Sequence, residues 1–152
     1  MKTIGKILGG IALLLVIAFA GSIGKIIGES TSERFFEGKK EGTIDAALIQ
    51  IASEINKNLP MMVDADTRLD STGGINRTVR YNYTLVKYTA KDLDATSLEQ
   101  AMRPKLINNV CTTKEMEFFV KNNITVSYAY FGKNGKQVTV ITVPASSCRN
   151  GS

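Results

Sequence analysis

Arg77-Thr-Val-Arg-Tyr-Asn-Tyr-Thr-Leu-Val-Lys-Tyr88 decides the fold class of this chain. Val79, Tyr81, Tyr83 and Leu85 alternate with Thr78, Arg80, Asn82 and Thr84, the period-2 pattern of a strand with one buried face. Helical spacing lies on both sides of it. Upstream, Ile44, Ala47, Leu48, Ile51, Ala52 and Ile55 recur at three and four, which predicts an amphipathic helix over 43–58. Thr43 is its expected N-cap, and Asn58-Leu59-Pro60 its stop, because a residue before proline avoids helical geometry. Downstream, Leu93, Leu98, Ala101, Met102, Leu106 and Val110 predict a second helix over 92–110, kinked or split at Pro104.

The remaining elements follow from shorter signals. Met61 to Leu69 reads as a strand with Met61, Val63, Ala65, Thr67 and Leu69 on one face, and Asp70 to Asn76 reads as a loop. Thr112-Thr-Lys-Glu115 has capping-box spacing and opens a short helix through Met116, Phe119 and Val120. Strands over 124–131 and 137–143 flank Asn134-Gly135, a type I′ hairpin signal. The order is helix, strand, strand, helix, short helix, strand, strand. It predicts an α+β domain with helices on one face of a four-stranded antiparallel sheet.

Before this domain stand 18 consecutive residues without a charge, Ile7 to Gly24. As a helix they span roughly 27 Å, close to the ~30 Å hydrocarbon core of a bilayer. We read residues 1–28 as a transmembrane anchor, 29–42 as a polar linker carrying Phe35-Phe36, and 43–152 as the soluble domain. The alternative is a cleaved signal, since Lys2 and Lys6, Ile11 to Ile17 and Ala18-Phe19-Ala20 meet its three requirements. Lysines and arginines flank the run on both sides, so charge does not orient it. The cysteines do. Cys111 and Cys148 are the only two, and an even count in an exported domain suggests a disulfide. Closing that loop is worth about 3–4 kcal/mol in the chain-entropy model. Two buried free cysteines are the other reading. The expected location is therefore the inner membrane, single-pass, with the C-terminal domain in the periplasm, or the periplasm or exterior after cleavage at Ala20.

Composition narrows the chemistry. The net charge of +5 is scattered among acids, with no basic block, which argues against nucleic acid. The chain contains no histidine, and so lacks the commonest general base and metal ligand. Asp64-Ala-Asp66-Thr-Arg68-Leu-Asp70 departs from a calcium loop, with arginine at the third ligand position and no glycine at the sixth. Asp64 and Asp66 could form an acid pair on one strand face, and Tyr81, Tyr83, Tyr88, Tyr128 and Tyr130 an aromatic binding surface. Solvated acids and packed aromatic rings explain both patterns as well. No catalytic, metal or cofactor residues are assigned.

The order from Ile44 to Cys148 resembles the disulfide-containing pilotins of type II secretion systems. The similarity rests on a first helix ending Ile55-Asn-Lys-Asn-Leu-Pro60 and on Cys111 in a polar segment before the Met116–Val120 helix. It continues through Asn123-Ile124 opening a strand, the Asn134-Gly135 hairpin and Cys148 near the end. The resemblance implies a small α+β periplasmic domain with a Cys111–Cys148 disulfide, and a role in escorting secretin subunits to the outer membrane. Those pilotins are lipoproteins, whereas this chain has no cysteine before position 111 to carry lipid. Fold and disulfide thus transfer better than the pilot role. The expected function is a noncatalytic, membrane-tethered extracytoplasmic domain that binds another envelope protein. A pilotin-like secretion accessory factor is one alternative, and a small carboxylate-dependent enzyme or ligand-binding domain is the other. Oligomeric state is left open.

Overall fold

Helix α1, Glu41–Asn56, turns Ile44, Leu48, Ile51 and Ile55 inward, as the 3.6-residue period requires. Thr43, the expected N-cap, lies within the span of this helix. The computed structural model of the chain describes residues 41–149. The expected anchor, residues 1–28, and nearly all of the linker therefore lie outside the described residues. Among the described residues no helix is long and apolar enough to cross a membrane.

The stretch expected to be one strand, Met61 to Leu69, is instead a hairpin. Asp64 Oδ1 accepts the backbone N–H groups of Asp66 at 2.7 Å and Thr67 at 2.8 Å, which reverses the chain. Strand β1, Met61–Met62, is thereby folded back antiparallel onto β2, Thr67–Ile75, with Met61 opposite Leu69. Strand β2 also runs through Asp70–Ile75, expected to be a loop. Its glycines have a packing reason. A Cβ on Gly74 would stand 2.5 Å from Leu48 Cβ, so glycine here admits α1 onto the strand.

Asn76 and Arg77 have φ of 51° and 52°, and connect β2 to β3, Thr78–Leu85. Positive φ at both central positions is the two-residue type I′ geometry. The Asn134-Gly135 turn was expected to have that form. It joins the expected strands, β4 (Thr125–Gly132) and β5 (Gln137–Val143), but only Gly135 has positive φ there, at 73°. Gly135 N–H donates to Gly132 O at 2.9 Å, so the connection is a three-residue loop with glycine in the left-handed position.

The sheet has five strands in the order β1-β2-β3-β4-β5 and is mixed, correcting the four-stranded antiparallel expectation. Strands β3 and β4 are parallel, from Thr78 beside Thr125 to Leu85 beside Gly132. Direction here is set by the return path. Helix α2, Ala95–Thr112, carries the chain back along the sheet before β4 begins. Asp94 caps α2 by accepting from Ser97 N at 2.6 Å. Pro104 lies within α2 and does not split it. A turn of 3-10 helix, Lys114–Met116, and the short helix α3, Glu117–Lys121, complete the crossover.

Leu98, Met102, Leu106 and Val110 of α2 join the α1 residues and the inward strand residues in one hydrophobic cluster. The described helices therefore cover one sheet face, as expected. Cys111 in the last turn of α2 is bonded to Cys148, which ends a 3-10 turn after β5. Their Cα atoms are 5.2 Å apart and the loop spans 37 residues. The bond pins the C-terminal tail to the helical layer.

Candidate functional site

The tyrosines expected as a possible binding surface are brought together, but in the core. Parallel pairing of β3 with β4 sets Tyr81 beside Tyr128 and Tyr83 beside Tyr130. The ring centroids of these pairs are 5.8 and 5.5 Å apart. None of the four is more than 2% exposed. Among the described residues, the hydroxyls of Tyr128 and Tyr130 have no hydrogen-bond partner. Burial pushes the phenols of Tyr83 and Tyr128 well above their ordinary range, and the neighbouring tyrosines add to the shift. Tyr88 is half-buried and packs at the margin of the cluster. This ladder supplies apolar area and stacking.

The two carboxylates are placed apart in role. Asp64 shapes the β1–β2 turn through its backbone acceptors. Asp66 is paired with Lys87, and that contact raises the lysine pKa. Asp70, the bulge residue of β2, is held by Arg68 and by the hydroxyl of Thr84. Each acid thus has a structural partner, and among the described residues no group of three or more His, Cys, Asp or Glu could hold a metal ion.

The outer face of the sheet carries polar chemistry and no described helix. Arg80 Nε donates to Asn82 Oδ1 at 3.0 Å, and Asn82 Nδ2 donates to Ser71 Oγ at 3.0 Å. Beside this row run Arg68, Asp70 and Thr84. Ser127 and Ala129 of β4 lie beside Arg80 and Asn82 in the parallel register and are buried. Such an array offers hydrogen-bond donors and acceptors for binding.

Both lateral margins of the sheet are engaged by helix side chains. Asn56, at the end of α1, bonds both main-chain groups of Thr72 in β2. Arg103 of α2 donates to Thr142 O in β5 at 3.2 Å and is paired with Glu99. Open strand edges invite pairing with other chains, and these contacts occupy them at two points. Sequence reasoning missed both residues. An asparagine at a helix end reads as a terminator, and nothing local marks its target 16 positions away.

A family model described as "Domain of unknown function (DUF8479)" matches residues 43–140. Curated proteins contain no match to the sequence. Three solved structures share the fold. A Pseudomonas aeruginosa protein described as secreted is similar with a TM-score of 0.63 and 16% identity, over 74% of this chain and 100% of that one. The pilotin EpsS of the Vibrio vulnificus type 2 secretion system has a TM-score of 0.60 and 13% identity, over 74% of this chain and 97% of its own. The type II secretion pilotin AspS of Vibrio cholerae has a TM-score of 0.55 and 16% identity, over 71% and 94%. The described domain therefore has the pilotin-type fold that the sequence layout resembles.

Proposed function

We propose that this chain, which belongs to the DUF8479 family, is a noncatalytic accessory protein of secretion that binds another envelope protein. The observation that carries this reading is the near-complete correspondence with two pilotins, over 97% and 94% of their chains. The disulfide supports an extracytoplasmic site of action, because thiols in the cytosol stay reduced. The structural engagement of Asp64, Asp66 and Asp70 supports binding over catalysis. A secretin subunit is the partner class that the pilotin resemblance implies.

Residues 1–28 divide this reading in two. Cleavage after Ala20 frees the domain to escort a partner across the periplasm. Retention of the segment as a helix keeps the domain on the inner membrane, where it binds or steadies a secretion component in place.

Crosslinking in intact cells, followed by capture of the tagged protein and mass spectrometry, tests the partner. A secretin or another secretion component should be recovered, and its assembled form should fall when the gene is deleted. Normal secretin assembly together with no crosslinked envelope protein would sink the proposal. The mass of the purified protein then distinguishes cleavage after Ala20 from retention.

A further inference from the structure

The β4–β5 connection contains Asn134-Gly135 at an exposed hairpin tip. Asparagine followed by glycine is the pairing in which the main-chain nitrogen is least hindered, because glycine has no Cβ. That nitrogen can attack the asparagine carboxamide. An N–Cγ bond forms, the Cγ–Nδ2 bond breaks and ammonia leaves with the proton. Water then opens the cyclic imide at either carbonyl, leaving aspartate or isoaspartate.

The fold restrains both reacting groups. Gly135 N–H, the nucleophile, donates to Gly132 O at 2.9 Å. Asn134 Oδ1, on the electrophile, accepts from Ala90 N at 3.2 Å. A strap over Tyr88–Ala90 backs the hairpin, with Lys133 N donating to Tyr88 O at 2.7 Å. Gly132 is the residue that permits this approach, since a Cβ there would stand 2.7 Å from the Thr89 carbonyl carbon.

We propose that Asn134 is a spontaneous deamidation site gated by the docking of the Tyr88–Ala90 strap against the hairpin. While the strap is docked, ring closure must break the turn hydrogen bond and pull the carboxamide from Ala90. When the hairpin opens, the site reacts as an unstructured Asn-Gly does. Isoaspartate lengthens the main chain by one carbon in a turn of fixed register, so modification disfavours redocking. The aspartate form places a new carboxylate near Asp92, whose own carboxylate accepts from Thr89 N at 2.7 Å. The other asparagines in described turns, Asn58, Asn76, Asn122 and Asn123, precede leucine, arginine, asparagine and isoleucine, whose side chains hinder the nitrogen; the second Asn-Gly pair of the sequence, Asn150-Gly151, lies outside the described residues.

The full-length protein, aged at mildly alkaline pH and mapped by peptide mass spectrometry, tests this. A synthetic peptide spanning 131–138 and the full chain in urea serve as references. Asn134 in the folded protein should react at least roughly tenfold more slowly than in the peptide, as expected for a site exposed only by local opening. Urea should raise its rate to that of the peptide, and Gly135→Ala should slow the reaction in peptide and unfolded chain alike. Equal rates in folded protein and peptide would overturn the gating. Faster reaction of an asparagine not followed by glycine in the unfolded chain would overturn the site; Asn150-Gly151, the other Asn-Gly pair, should match Asn134 in urea.

Discussion

The carboxamide of Asn56 pairs with Thr72 as a neighbouring strand would. Its Nδ2 donates to Thr72 O at 2.9 Å, its Oδ1 accepts from Thr72 N at 2.7 Å, and the Thr72 hydroxyl donates to the same oxygen at 3.1 Å. One side chain closes the edge of β2 and fixes the end of α1 against it. Asn56→Ala should lower stability by about 1–3 kcal/mol, because Thr72 is buried and loses the partner of both main-chain groups. Asn56→Asp keeps an acceptor for the N–H but loses the donor, and should also destabilise. Urea unfolding midpoints check both, and wild-type midpoints would contradict this role for Asn56.

Two adjacent glycines should behave oppositely. Gly74→Ala drives a Cβ into Leu48 and its backbone, and should cost about 1–3 kcal/mol as overpacking. At Gly73 an added Cβ meets nothing within 4 Å, so Gly73→Ala should be neutral or stabilise by up to about 1 kcal/mol. Thermal melting of the two variants side by side is the measurement.

Removal of the disulfide should be costly and non-additive. Cys111→Ala, Cys148→Ala or added reductant should each lower stability by about 3–4 kcal/mol, from a loop of 37 residues. The melting temperature should fall by a similar amount in all three cases. The double variant should be no worse than either single one, since the bond is already lost. Melting unchanged by reductant would show that the bond does not hold the tail.

Alkaline pH should unfold the protein through its tyrosines. Burial raises the folded-state pKa of Tyr83 and Tyr128 well above the ordinary value of 10.0. Folding therefore favours the protonated phenols. Their contribution is fully present below about pH 10, and is lost as the pH rises from there towards the folded-state values, because only the unfolded chain releases these protons. Tyrosinate absorbance and loss of circular dichroism should rise together above pH 10. Ionisation of all five tyrosines while the fold persists would contradict the buried ladder.

Helix α1, strands β3 to β5 and the one-sided helical layer were legible because hydrophobic period reports burial directly. Ile44, Leu48, Ile51 and Ile55 need only one neighbouring layer to explain their spacing, and the alternation in β3 needs only one buried face. The approach of Cys111 to Cys148 was readable from their number and positions within the element order. The β1–β2 hairpin was not. Met61 to Leu69 has the alternation of one strand, and its reversal depends on the Asp64 carboxylate capturing two N–H groups. Asp70 to Ile75 has the composition of a loop, and it is a strand because α1 needs the room that Gly74 leaves.

The sequence by itself determined the elements with strong periodicity, the α+β class and the reserve of one cysteine pair for the soluble domain. Period records how much of an element is buried, and that is a local property. Only the tertiary structure decided that β3 and β4 run parallel, that the tyrosines face the core and that Asn56 and Arg103 engage the sheet margins. A strand pattern is the same whichever way its neighbour runs. Partner and direction come from the path that α2 takes between strands, and from contacts between residues far apart in the chain.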